Sequence, residues 1–223
     1  MRIILLGPPG GGKGTQGALI EATWGFPRVS TGDLLRRAVR ERTPLGLRAE
    51  ARMNTGGLVE DDLVLGLVRE RIVRADCAAG YVLDGFPRTV PQAEGLEAMD
   101  AGRPEIALDI AIDEEAMIQR LGRRLVCPEC SAVCNPAVRE RKRPGACEAC
   151  GADFVRRPDD APDVVSERLK VYRDGVEPLL AYYRDRNTLV RIDGSGSVDD
   201  VFSRIQAVLV PRLVEKTTSR SAS

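Results

Sequence analysis

The sequence predicts an α/β fold, a parallel sheet core flanked by helices and carrying two insertions. Three observations lead there. A short apolar run, Arg2 to Leu6 (RIILL), ends in glycine as a buried strand would, and it leads through a glycine-rich loop into a helical stretch from Lys13 to about Thr23. Further apolar runs recur down the chain, separated by segments of helical period, an order that builds a parallel sheet. Two stretches break this rhythm.

In chain order, Pro27 to Val29 follows the first helix as the weakest of the strand signals. Thr31 to Val59 carries helical patterns and no convincing strand. Val64, Leu67, Val68 and Ile72 then share one helical face. Tyr81 to Leu83, Ile106 to Ile112 and Leu189 to Ile192 read as buried strands. Between the last two, Arg123 to Asp160 is rich in Cys, Pro, Arg and Glu and has little helical period. Val198, Val201, Phe202, Ile205, Val208 and Leu209 mark a final helix, with Ser197 and Asp200 placed to cap it. Residues 1–29, 60–122 and 161–223 are therefore expected to form the core, with a helical insertion at 30–59 and a second insertion at 123–160. The small polar tail, 216–223, is expected to be disordered.

Thirty-three basic and thirty-three acidic residues cancel, so no global field draws the chain toward nucleic acid or an anionic membrane. No apolar run is long enough to span a bilayer, and MRIILLG meets glycines at once instead of a signal-cleavage site. The cytoplasm is the expected compartment. Histidine is absent. Chemistry therefore falls to carboxylates, lysine and arginine, thiolates or a bound metal.

Gly7 to Thr15 reads GPPGGGKGT, nearly the phosphate-binding P-loop G-x-x-x-x-G-K followed by Ser or Thr. Between a strand and a helix, the backbone N–H groups of such a loop ring phosphates, and the helix N-terminus adds its positive end. Lys13 would reach the outer phosphates. Gly14 stands where the hydroxyl belongs, and the hydroxyl comes one residue late, on Thr15. Mg²⁺, which keeps several waters in any case, would then rely on phosphate oxygens and water.

GPPGGGKGT, STGDLLR (Ser30 to Arg36) and LDGFPRT (Leu83 to Thr89) resemble, in order and spacing, the motifs of the adenylate kinases. The resemblance runs from Met1 to about Pro211. It implies a monomeric enzyme that moves the terminal phosphoryl of Mg²⁺·ATP reversibly to AMP, giving two ADP, with no nucleic-acid or membrane partner. By that resemblance ATP takes Gly10, Gly11, Gly12, Lys13, Gly14 and Thr15, with Arg120, Arg123, Val133, Cys134 and Gly196. AMP takes Thr31, Arg36, Met53, Gly57, Leu58, Val59, Gly85, Phe86, Pro87, Arg88 and Gln92, the last reading adenine. Lys13, Arg88, Arg123, Arg157 and Arg168 surround the transferring group, Arg157 and Arg168 also reaching AMP. Asp84 holds Mg²⁺ through water, with Asp33 and Asp160 as lesser candidates. The family has R-x-x-x-R leading into its lid; here Arg120 and Arg123 are three apart, a spacing that also keeps both on one helix face. The chemistry agrees: a phosphate acceptor already largely dianionic needs no general base, and two polyanions need neutralising charge. A kinase for UMP or CMP is the nearer alternative, and a P-loop regulator that binds nucleic acid the more distant one.

Cys127-x₂-Cys130 and Cys147-x₂-Cys150 give two thiolate pairs sixteen residues apart, a structural Zn²⁺ signature. Such a site would rigidify an insertion too short to build its own core. The same four sulfurs accommodate Fe²⁺, and a cytoplasmic setting disfavours two disulfides. The four cysteines resemble the metal-bearing lid of long, bacterial-type adenylate kinases. Cys134 stands outside the pairs as a spare thiol, Cys77 reads as a buried small hydrophobe, and Arg139 to Arg143 (RERKR) is the basic stretch a nucleic-acid partner would use.

Overall fold

The alternation of strand and helix signals resolves, in a computed structural model, into β1 (Arg2–Leu6), α1 (Lys13–Trp24), β2 (Arg28–Ser30), α2 (Thr31–Arg40), α3 (Pro44–Asn54), α4 (Asp61–Ile72), β3 (Tyr81–Asp84), α5 (Val90–Met99), β4 (Glu105–Ala111), α6 (Glu114–Gly122), β5 (Leu125–Val126), β6 (Val133–Cys134), α7 (Pro162–Asp185), β7 (Leu189–Asp193) and α8 (Val198–Arg220). The structure describes residues 1–130, 132–134 and 145–220, with side chains as far as Val214. Arg139 to Arg143 lies outside the described residues.

Five strands form one parallel sheet in the order β2-β3-β1-β4-β7. Side chains of β1 alternate between its two faces, as the two-residue period of a strand requires. Ile3 and Leu5 join Val82, Leu108 and Ile110 against Ile20 of α1 and Val201, Ile205 and Leu209 of α8. Ile4 and Leu6 join Leu83 and Ala107 against Val64, Val68 and Ile72 of α4, Leu96 of α5, and Leu179 and Tyr183 of α7. Both faces are covered, so the central strands read as continuous apolar runs. The weak signal at Pro27 is the edge strand β2. Pro27 supplies only a carbonyl, which accepts from the Val82 N–H, a use of proline that sheet edges permit.

Residues 31–59 hold α2 and α3 and no strand. Ser30 caps α2 by accepting from the Asp33 N–H, and Thr43 caps α3 by accepting from Gly46. Ser197 and Asp200 cap α8 reciprocally: each side chain accepts the other's backbone N–H. α8 continues through Arg220. Extending an existing helix adds one hydrogen bond per residue without a new nucleus. Residues 221–223 lie outside the described part. No helix among the described residues is long and apolar enough to cross a membrane.

Because all five strands run the same way, their carboxyl ends, Leu6, Ser30, Asp84, Ala111 and Asp193, lie along one edge, where parallel α/β sheets bind ligands.

Candidate active site

The loop leaving β1 crosses that edge in left-handed turns at Gly10 (φ 79°) and Gly12 (φ 88°), conformations that favour glycine. A Cβ on Gly10 would also meet Leu121 and Met117 of α6 at 2.9 and 3.0 Å, so the loop is pressed against that helix. Gly12 caps α1 without a side chain. The N–H groups of the first turn, from Lys13 to Thr15, therefore face outward as an anion site. Lys13 Nζ donates to the carbonyls of Gly7 and Pro8, both at 2.7 Å. The surrounding protein lowers its ammonium to about 7 against the pull of Asp84, and Arg88, Arg168 and Arg124 lower it further.

Around the loop stands an ionic network. Arg28 donates to Asp84 and Asp33. Arg36 donates to Asp33 at 2.6 Å and to Asp159 at 3.5 Å. Arg168 binds Asp159 and Asp160, both at 3.2 Å, and Arg124 grips both oxygens of Asp160. Arg157 lies 3.7 Å from Asp33, and its Nε is buried without a partner. Asp33 and Asp159 are partly buried, yet their arginine neighbours hold both below the usual carboxylate range. With Lys13 and Arg88, seven cations share the four carboxylates of Asp33, Asp84, Asp159 and Asp160. Arg88 is open to solvent at the floor of a cleft, where the enclosing protein and Arg168 bring it to about 10. Enclosure, Arg36 and Arg124 do the same to Arg157, also to about 10. Such a surplus of charge calls for a polyanion.

Two clefts meet at this network. One, of about 600 Å³, is lined by Thr31, Arg36, Met53, Gly57, Leu58, Val59, Gly85, Arg88, Gln92 and Arg168. The other, of about 720 Å³, runs from Lys13 past Pro87 along Val171, Tyr172 and Gly175 of α7, and it shares Arg88 and Arg168 with the first. Thr31 Oγ1 and Arg88 Nε both donate to the Gly85 carbonyl at 2.9 Å, which ties α2 to the loop after β3.

Beyond α6 the cysteine segment folds as two hairpin-like turns. The N–H of Cys127 donates to Ala132, and that of Cys147 to Ala152. The four sulfurs, on Cys127, Cys130, Cys147 and Cys150, lie within 4.8 Å of one another. Three of their separations are 3.3, 3.5 and 3.7 Å, against about 3.8 Å between thiolates tetrahedrally placed around zinc. All six cysteines of the chain are free thiols. Backbone N–H groups at Cys130 and at Ala149 lower the thiols of Cys127 and Cys147, the latter to about 7, which suits a metal-binding thiolate.

A family model of adenylate kinase matches residues 5–188. The chain belongs to the adenylate kinase family. An adenylate kinase from Trichlorobacter lovleyi is 46% identical over 213 residues, covering 94% of this chain and 100% of that protein. One from Syntrophobacter fumaroxidans is also 46% identical, over the same shares. One from Methanosarcina acetivorans is 42% identical over 212 residues, covering 94% of this chain and 98% of its own. The chain is thus an enzyme of the transferase class with a P-loop α/β fold and a four-cysteine lid.

Against this family, several sequence expectations need adjustment. Phe86 is fully buried in the core, so only its backbone could face a nucleotide, while its neighbour Pro87 lines the second cleft. Gln92 lines the first cleft, but its oxygen accepts from the Arg88 N–H at 2.8 Å and its nitrogen donates to Asp61 at 2.6 Å. One further position remains at each end of the amide. Arg123 does not share a helix face with Arg120. The helix ends at Gly122, which leaves Arg123 exposed, and Arg124, four residues after Arg120, turns inward. The R-x-x-x-R spacing of the family is therefore present as Arg120 and Arg124. Arg120 donates to the Gly194 carbonyl at 3.2 Å beside Gly12, in the turn that contains Gly196. On β6, Val133 is exposed while Cys134 is buried. Arg28, Asp61, Arg124 and Asp159 were missed. Arg124 could have been found from the four-residue spacing; the other three carry no local motif.

Proposed function

We propose that the chain transfers the terminal phosphoryl of ATP to AMP, reversibly, giving two ADP, and so serves nucleotide balance and salvage. The observation that carries this reading is the gathering of Arg36, Arg88, Arg124, Arg157 and Arg168 between the loop of Lys13 and the cleft of Thr31 and Gln92, where cations outnumber carboxylates. ATP phosphates would lie on the loop from Gly10 to Thr15 with Lys13, and its base between Arg120 and the Gly194–Gly196 turn. AMP would fill the cleft of Thr31, Met53, Leu58, Val59 and Gln92, its phosphate on Arg36 and Arg88. Arg124, Arg157 and Arg168 would then surround the transferring group, with the enclosed site excluding water. The acceptor phosphate needs no base, since its second pKa is about 6.

Asp84 and Asp33 offer hard carboxylate oxygens beside the loop, a donor set that fits Mg²⁺. When bound with ATP, Mg²⁺ supplies neutralising charge across the phosphate oxygens. The four thiols fit a structural Zn²⁺, which would stiffen the lid at 123–160 over the insertion at 30–59. Reduced thiols suit a cytoplasmic setting. We also propose a monomer, checked by light scattering. The acceptor profile across AMP, GMP, CMP, UMP and dAMP tests the function: AMP is expected to lead, and faster turnover of UMP or CMP would replace it with a broader monophosphate kinase.

A further inference from the structure

Arg28 opens the edge strand β2 and has no part in the nucleotide contacts above. Its side chain passes beneath α1 and ends between two acids. Nη1 donates to Asp84 Oδ2 at 2.9 Å and Nη2 to Asp33 Oδ2 at 3.1 Å. The helix above leaves room for it. A Cβ on Gly17 would lie 2.8 Å from Arg28 Cδ, and one on Gly14 would lie 3.6 Å from Nη1 and 3.3 Å from Asp84 Oδ2. A side chain at the position after the P-loop lysine would thus press against Asp84 and touch Arg28. Asp33 has Arg36 and Arg157 as further partners, whereas Arg28 is the one ion-pair partner of Asp84 among the described residues.

Two carboxylates converging beside a phosphate site repel each other and repel the phosphates. A guanidinium between them offsets that repulsion, and its planar fork fixes where their oxygens point. We propose that Arg28 is a positioning residue of the metal side of the site: it holds Asp84 and Asp33 in place and supplies there, in part, the positive charge that Mg²⁺ brings. The proposal rests on the reading of Asp84 as a carboxylate that serves Mg²⁺ through water. It follows that Arg28 and the hydrated metal compete for Asp84. The arginine supports binding of ATP without metal and moderates the gain that Mg²⁺ adds.

The test is titration calorimetry of ATP binding to the whole chain, once with saturating Mg²⁺ and once with EDTA at low total magnesium, using Arg28→Gln and Arg28→Lys. Arg28→Gln is expected to weaken metal-free binding by about tenfold, the scale of one screened unit charge a few ångströms away, while Mg²⁺·ATP binding holds or tightens. Arg28→Lys keeps the charge but loses the fork, and it should restore most of the metal-free affinity. Equal loss in both conditions, or no change in either, overturns the proposal. Asp84→Asn separates the two claims. If it leaves the Mg²⁺ gain intact, the reading of Asp84 fails. If it lowers that gain while Arg28→Gln leaves the ratio of the two affinities unchanged, the Arg28 proposal fails alone. Thermal unfolding of each variant shows whether the fold is kept. Should Arg28→Gln not fold, the same two titrations on Arg28→Lys decide: metal-free affinity within threefold of the parent supports the charge role, and a larger equal loss in both overturns it.

Discussion

Nucleotide binding should draw a proton from solution, and Lys13 is the reason. Enclosed by the loop and flanked by three arginines, its ammonium is lowered to about 7. Phosphate oxygens arriving at Nζ favour the charged form and return it to its ordinary range near 10.5 or above. The sign is fixed by that direction: a group whose pKa rises on binding takes up protons, and the affinity it supports falls as pH rises through the free value. At pH 8 roughly a tenth of free molecules carry the charge, so binding takes up about 0.9 proton, against about 0.5 at pH 7 and 0.1 at pH 6. Arg88 and Arg157, near 10, are about 1% deprotonated at pH 8 and add little. The phosphates, with second pKa values of about 6, are already deprotonated there. Calorimetry of Mg²⁺·ATP binding in Tris and in HEPES, whose ionisation heats differ, reads the uptake directly. Less than about 0.2 proton at pH 8, or the same uptake in Lys13→Met, would refute the reasoning.

Three further outcomes follow from the geometry. Arg124→Ala should lower kcat by at least about a hundredfold, as loss of a charge aimed at the transition state does, with Arg123→Ala within about twofold; steady-state kinetics decide, and the reverse order would restore Arg123 to the site. Elemental analysis should find one zinc per chain, and Cys147→Ser should lose it and lower the Tm by several degrees; an unchanged Tm in the metal-free protein would deny the ion a structural role. Arg2, 1% exposed, pairs with the half-exposed Glu97 at 2.5 Å and the largely buried Glu105 at 2.6 Å, so Arg2→Met should cost about 3 kcal/mol in urea unfolding by leaving Glu105 uncompensated. Activity per folded molecule should be unchanged.

The parts legible in the sequence are those governed by local periodicity or by backbone chemistry. The run RIILL, the glycines of the loop, the Ser197–Asp200 cap and the two C-x-x-C pairs each state their structure within a few residues. Arg36, Arg88 and Arg168 were read from motifs and do converge on the clefts. What stayed hidden depends on tertiary placement. Nothing near Arg28 in sequence says that it reaches Asp84, 56 residues away. Gln92 carries no sign that Asp61, on another helix, engages its amide. Arg123 and Arg124 differ only in where α6 stops, and helix ends are the least determined feature of a periodic pattern. Gly14, an oddity beside Lys13 in the sequence, packs against the Asp84–Arg28 pair, where a Cβ would meet the carboxylate at 3.3 Å.

The most direct test of the central claim uses one nucleotide. Incubated with Mg²⁺ and ADP alone and followed by ³¹P NMR, the enzyme should produce ATP and AMP in equal amounts, approach equilibrium and release no inorganic phosphate. Unchanged ADP, or accumulation of inorganic phosphate in place of ATP, would contradict a water-excluding site that moves a phosphoryl group between two bound nucleotides.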